Sequence, residues 1–102
     1  MWYISIFDAK EQVSLKEIEK EREEWIKKGK SQVFQQRCRT IYRYEVLGHS
    51  PQKIIFCIET DDAVVLNLLS HHFGEGWRSV SYPMIEREIY EALEEDKSII
   101  GG

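Results

Sequence analysis

The side chains best suited to acid–base chemistry in this 102-residue chain are its three histidines. Imidazole titrates near neutral pH and can act as a base or as a metal ligand. His71 and His72 are adjacent, but neighbouring helical positions point about 100° apart, so the two cannot readily chelate one metal ion. We expect His72 at the edge of the core and His71 in solvent. We predict no metal site, no haem and no other bound cofactor.

Aromatic side chains form the second candidate set. Tyr3, Tyr42 and Tyr44 could share one face of a sheet and orient a carbonyl or carboxylate ligand with their phenol groups. Tyrosines are also good cross-strand and dimer-interface partners, which is the simpler explanation. Trp77 follows a Gly-Glu-Gly turn and could either wall the mouth of a cavity or fill the core. The predicted ligand-binding residues are therefore Tyr3, Tyr42, Tyr44, His72 and Trp77, and no catalytic residue is assigned.

The remaining reactive residue types have structural explanations. Cys38 and Cys57 both fall in predicted strands, where small buried cysteines are inert and need not form a disulfide. Asp61 and Asp62 are paired carboxylates, but the capping of a helix accounts for both. The sequence contains no Gly-rich phosphate loop, CxxC pair, HExxH motif or nucleophile elbow. No motif therefore specifies a reaction.

Composition excludes several classes of protein. A hydrophobic fraction of 42% with three Trp, five Tyr and four Phe is too high for a disordered chain. The net charge of −4 argues against nucleic-acid binding, which depends on clustered Lys and Arg. No apolar run approaches the roughly 20 residues of a membrane span, and the N-terminus does not resemble a signal peptide. We predict a cytoplasmic protein that binds neither nucleic acid nor membrane.

The stretch from Ile54 to Gly74 is the segment around which the other elements are arranged. The run Ile54–Ile58 is apolar and β-branched, which predicts a central strand covered on both faces. Oxygen-bearing side chains at 60–62 can cap the start of a helix, whose apolar positions recur at helical spacing up to His72. Gly74 is suited to end that helix.

Similar patterns predict the other elements. They are a strand over 1–7, a helix from Ser14 to Gly29 that could resume over 30–36, a strand over 38–47, a strand over 77–84 in which Pro83 favours an edge position or a bulge, and a helix over 85–95. The order β-α-β-β-α-β plus a helix predicts an α+β, ferredoxin-like domain over 1–96 with a four-stranded antiparallel sheet. Residues 97–102 are predicted to be a flexible C-terminal tail.

Two helices can cover only one face of this sheet. An uncovered face that carries aromatic residues is usually buried against something else, and a second copy of the same chain is the simplest partner. We therefore predict a homodimer that forms through the sheet face.

The same segments resemble the dimeric α+β barrel proteins, and among them the small muconolactone isomerase-like group. The resemblance rests on the N-terminal strand, the Glu- and Arg-rich first helix ending at Lys28-Gly29-Lys30, and IIFCIETDDAVVLNLLSHHF followed by WRSVSYPMI. The chain departs from the group in its longer connection over 29–41, its enlarged hairpin at 48–52 and its added last helix. The resemblance implies the fold, a dimer and a cavity between sheet and helices that takes small organic molecules.

The predicted function is the binding of a small, partly apolar organic molecule in that cavity. Isomerisation and oxygenation both remain open as activities, since no catalytic residue can be matched to the group. The alternative is a non-catalytic regulatory or protein-interaction module that uses the sheet face and the C-terminal residues.

Overall fold

Four strands pair into one antiparallel sheet in the computed structural model, which describes residues 1–101. The elements are β1 (Trp2–Ala9), α1 (Leu15–Lys27), α2 (Lys30–Arg37), β2 (Thr40–Glu45), β3 (Lys53–Glu59), α3 (Val64–Phe73), β4 (Trp77–Met84) and α4 (Ile89–Ile100). The strand order is β2-β3-β1-β4, and every neighbouring pair is antiparallel. The α+β class is confirmed, and the architecture is compatible with a ferredoxin-like fold.

Local signals explain where the helices begin and end. The Ser14 hydroxyl accepts a hydrogen bond from the Glu17 N–H at 3.2 Å, which caps α1. Gly29 has a φ of 73° and divides α1 from α2, a conformation that glycine adopts without steric cost. Asp62 accepts from the Val64 N–H at 3.1 Å at the start of α3. Gly74 follows α3 with a φ of 76°, as the sequence predicts.

The two faces of the sheet differ sharply. Alternation along β1 and β3 points Phe7, Ile54, Phe56 and Ile58 toward the helices, where they are buried. This side is the covered face. The opposite side is the open face, and no helix of the described chain covers it. Its apolar residues are Trp2, Ile4, Ile6, Tyr42, Tyr44, Ile55, Cys57, Val80, Tyr82 and Met84.

The core lies between the covered face and α1, α2 and α3. Phe7 and Phe73 stack with ring centroids 4.3 Å apart, and Phe56 meets both rings edge-on. Val65 and Leu69 of α3 are fully buried beside them. These contacts hold α3 against the centre of the sheet.

Two predictions about the strands are wrong. Strand β3 is central in the sheet, as predicted, but helices cover only one of its two faces. Cys57 therefore lies half-buried on the open face. Cys38 does not belong to a strand, because its N–H donates to the Phe34 carbonyl at 2.8 Å and thereby ends α2. Burial raises the pKa of the Cys38 thiol.

The last helix begins later and extends further than predicted. The Glu88 carboxylate accepts hydrogen bonds from the Tyr90 and Glu91 N–H groups, so α4 begins at Ile89 and not at Ile85. It continues to Ile100, so that residues 97–100 of the predicted flexible tail are helical. Gly102 lies outside the described residues. None of the helices within 1–101 combines the length and the apolar character needed to cross a membrane.

Helix α4 extends away from the rest of the protein. It does not pack extensively on any other element of residues 1–101, and all of its residues except Ala92 are exposed. The radius of gyration is 16.6 Å, whereas a compact chain of this length has about 13 Å. The overall dimensions of 53 × 32 × 19 Å reflect this projecting helix.

Candidate functional site

A cluster of polar side chains lies under the helices on the covered face. Oε1 of Glu21 in α1 lies 2.6 Å from Nε2 of His72 in α3. The two guanidinium NH groups of Arg43 in β2 donate to the two Glu21 oxygens at 3.3 and 3.0 Å. One carboxylate therefore joins two helices and a strand.

The sequence explains how each element presents its member of the cluster. Glu21 lies three residues after the buried Ile18, so it falls on the inward side of α1. Arg43 alternates with Tyr42 and Tyr44, which places it on the covered face of β2. His72 lies in the last turn of α3, and its ring centroid is 4.4 Å from that of Trp25.

The electrostatics of the cluster favour an ionised Glu21. Burial by itself would raise the pKa of this carboxyl, but the hydrogen bonds from His72 and Arg43 and the charges of these groups outweigh burial and lower it. The Arg43 guanidinium also lies over the rings of Phe56 and Phe73, at 5.6 and 6.0 Å from their centroids. The charge is thus placed in an aromatic environment.

Both ring nitrogens of His72 have partners within the protein. Nε2 meets Glu21, and Nδ1 lies 3.4 Å from Nζ of Lys30 at the start of α2. Only 5% of the His72 side chain is exposed. The imidazole is therefore positioned as a link between helices, and neither nitrogen is directed at a free substrate position.

A cleft opens beside this cluster, between α1 and the turn that precedes β4. Its volume is about 750 Å³, and we call it the α1 cleft. Ile18, Ile54, Phe73 and Trp77 form its apolar wall. Its polar and remaining lining residues are Lys10, Glu11, Gln12, Val13, Glu17, Lys20, Glu21, Glu24, His72, Glu75 and Gly76.

The five predicted ligand-binding residues do not lie together. His72 and Trp77 both line the α1 cleft. Tyr3 lies on the covered face but pairs with Ile58 and Pro83 near the other end of β1, away from the residues that line this cleft.

Tyr42 and Tyr44 point to the open face, where Tyr42 stacks on Trp2 with centroids 6.2 Å apart. The prediction that Tyr3 shares a face with Tyr42 and Tyr44 is corrected, because the registers of β1 and β2 against β3 place their side chains on opposite sides.

Glu21 and Arg43 were missed by sequence reasoning. Glu21 belongs to the charged run EKEREE, which is typical of a solvated helix face, and Arg43 lies two residues before Glu45, whose carboxylate is 3.6 Å away and would by itself explain a surface arginine. Their positions in the helical and strand periodicity indicate that both side chains point toward the core. Glu21 falls between Ile18 and Trp25 on the apolar stripe of α1, and Arg43 alternates in phase with Ile41.

No group of three or more His, Cys, Asp and Glu side chains within 1–101 is arranged so that it could hold a metal ion. Comparison with protein-family models, with curated proteins and with solved structures finds no match to this chain. The resemblance to the muconolactone isomerase-like group therefore stays a prediction from the residues.

Proposed function

We propose that the protein is a homodimer that binds a small, partly apolar organic molecule in the α1 cleft of each protomer. The dimer would form between two open faces, as in a dimeric α+β barrel. The support for the dimer is the composition of this face, whose central residues Ile4, Ile6 and Ile55 are aliphatic and have further apolar side chains as cross-strand neighbours, among them Tyr44, Val80 and Tyr82. Water-exposed apolar patches of this kind mark interaction surfaces in soluble proteins.

Charges on the open face are confined to its ends, which favours a dry interface centre. Asp8, Lys53 and Arg78 lie at one end of the sheet, and Glu59 lies at the other. Lys53 and Asp8 pair across the strands at 3.5 Å. A charged rim around an apolar centre is the usual anatomy of a protein interface.

Light scattering and sedimentation analysis test the dimer. The wild-type chain should have twice the mass of one chain, and Ile4→Asp should convert it to a monomer because it buries an unpaired charge at the centre of the interface. Leu15→Asp is the matched control, since Leu15 is an exposed leucine outside the open face. A wild-type monomer at micromolar concentration would refute the dimer.

The observation that carries the ligand proposal is the apolar wall of the α1 cleft beside the Glu21–His72 pair. The cleft volume of about 750 Å³ falls within the range of small-molecule sites. Ile18, Phe73 and Trp77 would contact the apolar part of a ligand, and the polar rim would contact its polar groups. Because His72 is already hydrogen-bonded at both nitrogens, the geometry favours binding over a proton-transfer step.

A ligand screen by NMR tests this proposal on the unmodified protein. A ligand of the cleft should shift the indole N–H signal of Trp77, which Trp77→Phe assigns, and should leave the signal of Trp2 on the open face unchanged. Tyr42→Phe with Tyr44→Phe is the matched control and should retain full affinity, because both hydroxyl groups lie on the opposite side of the sheet. Loss of affinity in this double variant would move the site to the open face.

The second candidate function is a non-catalytic regulatory or protein-interaction module. The exposure of the apolar residues of α4 favours it, because such residues usually contact another molecule. The two functions differ in the NMR screen. A diverse library of small molecules that shifts no Trp77 signal would favour the interaction module.

A further inference from the structure

Helix α4 is amphipathic but receives little packing from the other helices and strands of residues 1–101. Ile89, Leu93 and Ile100 fall within about 40° of one another around the helix axis. Their exposed fractions are 75%, 52% and 77%. Glu91, Glu94 and Glu95 lie on the opposite side of the helix, whereas Asp96 lies on the same side as the three apolar residues. The helix therefore has an apolar face suited to packing, yet that face is in solvent.

An isolated helix of this length is marginal in water. Helices shorter than about 12–15 residues gain most of their stability from the packing of an apolar face. Helix α4 has 12 residues and receives little such packing from residues 1–101. Contacts with a second molecule would stabilise it.

The same chain carries a groove of matching chemistry, which we call the arginine groove. It lies between α1, α2 and β2 and has a volume of about 450 Å³. Its apolar residues include Trp25, Ile26, Phe34 and Ile41, and 69% of Ile26 is exposed. Three arginines, Arg22, Arg39 and Arg43, also line it, and its lining within the described chain includes no Asp or Glu.

The charges of the two surfaces are complementary. Asp96 lies on the same side of α4 as Ile89, Leu93 and Ile100, so it would face the groove, which presents three guanidinium groups. Each arginine already pairs with a carboxylate of its own chain, namely Arg22 with Glu45, Arg39 with Asp61 and Arg43 with Glu21. A guanidinium has five N–H donors, so each arginine can donate hydrogen bonds to a further carboxylate.

The helix and the groove of one chain lie at opposite edges of the sheet. Helix α4 follows β4, the groove borders β2, and the strand order β2-β3-β1-β4 separates these two edges by roughly 14 Å, or three strand spacings. Strand β4 contributes Val80, Tyr82 and Met84 to the open face. Only four residues separate Met84 from the start of α4, so the helix begins close to the proposed dimer interface. In the proposed dimer, the start of α4 would therefore lie close to the second copy.

We propose that α4 is an exchanged arm, and that in the homodimer it packs with its apolar face in the arginine groove of the second copy. This inference rests on the proposed homodimer. Each protomer would then contribute one arm and one groove, so the contact is made twice and closes with two-fold symmetry. The exchange would bury the apolar face that is otherwise in solvent.

Photo-crosslinking in the full-length protein tests the location of the arm. The photoreactive residue p-benzoylphenylalanine replaces Leu93, and the variant is mixed with an isotope-labelled copy so that contacts between chains can be distinguished from contacts within one chain. We expect crosslinks between chains to peptides of α1, α2 and β2. Crosslinks within one chain, or to strands of the open face, would overturn the inference.

A double-mutant cycle tests the energetic contact. Leu93→Asp in the arm and Ile26→Asp in the groove should each raise the dimer dissociation constant roughly tenfold or more, as expected for the loss of one buried aliphatic side chain. The double variant should be weakened much less than the product of the two factors, because the first change already removes the contact. Leu15→Asp is the control and should leave the constant unchanged.

The two proposals fail in different ways. A monomeric wild-type chain refutes the homodimer and the arm together. A wild-type dimer that Ile4→Asp dissociates, but whose dissociation constant does not change with Leu93→Asp, retains the homodimer and refutes the exchanged arm.

Discussion

Oε1 of Glu21 lies 2.6 Å from Nε2 of His72, although 51 residues separate them in the chain. The contact joins α1 to α3 beside the ring of Trp25, and Arg43 holds the same carboxylate from the sheet. Four predictions concern this link and the core around it. All should be measured at one fixed protein concentration, since association contributes to the stability of a dimer.

Replacement of Glu21 by Gln tests the link between the helices. Glu21→Gln keeps the shape of the side chain but removes the charge that satisfies Arg43 and His72. The free energy of unfolding should fall by about 1–3 kcal/mol, the usual cost of leaving a partly buried polar partner unsatisfied. Urea denaturation measures the change. Glu23→Gln, on the exposed side of the same helix, should change the value by less than about 0.5 kcal/mol.

The lowered pKa of Glu21 predicts a dependence of stability on pH. Because the folded-state value lies below the unfolded value, the contribution is fully present above about pH 4.5 and is lost as pH falls through the folded-state pKa. His72 and Arg43 are the charged or titratable groups that contact this carboxyl, and Lys30 contacts the other ring nitrogen of His72.

Urea denaturation at pH values from 3 to 6 checks this dependence. The slope of stability against pH below about 4.5 should be smaller in Glu21→Gln than in the wild type. Equal slopes in the two proteins would show that other carboxylates account for the acid sensitivity.

The hydroxyl of Thr60 ties the end of α2 to the start of α3. It is buried, it donates to the Arg37 carbonyl at 2.7 Å, and it accepts from the Asp62 N–H at 3.0 Å. Thr60→Val keeps the shape but leaves both partners unsatisfied, so the free energy of unfolding should fall by about 1–3 kcal/mol. Thr60→Ser keeps the hydroxyl and should cost less. A larger loss in Thr60→Ser would show that methyl packing dominates here.

Phe7 is the centre of the aromatic core. It is almost fully buried and contacts both Phe56 and Phe73. Phe7→Ala should reduce the free energy of unfolding by about 3–5 kcal/mol, because it removes buried surface and leaves a cavity. Phe7→Leu should cost less, and Leu15→Ala at an exposed position should be nearly neutral. Thermal and urea unfolding measure the series, and a small effect of Phe7→Ala would contradict this account of the core.

Prediction from sequence succeeded where the signal is local. The strand over Trp77–Met84, the division of α1 from α2 at Gly29 and the end of α3 at Gly74 all depend on a few neighbouring residues. It failed at Cys38 and at the start of α4. The first boundary depends on a backbone hydrogen bond of α2. The second depends on capping by Glu88, a local signal that the apolar spacing from Ile85 concealed.

The sequence by itself determined the α+β class and the alternation that divides each strand into two faces, and it limited the Pro83 strand to an edge position or a bulge. These features follow from backbone preferences and from periodicity along the chain. Only the tertiary structure decided that Glu21, Arg43 and His72 are in contact. It also decided that Tyr42 and Tyr44 lie on the other face of the sheet from Tyr3, and that α4 projects away from the other elements. Such relationships depend on strand register and on the packing of helices on the sheet, which connect residues that are far apart in sequence and have no local signature.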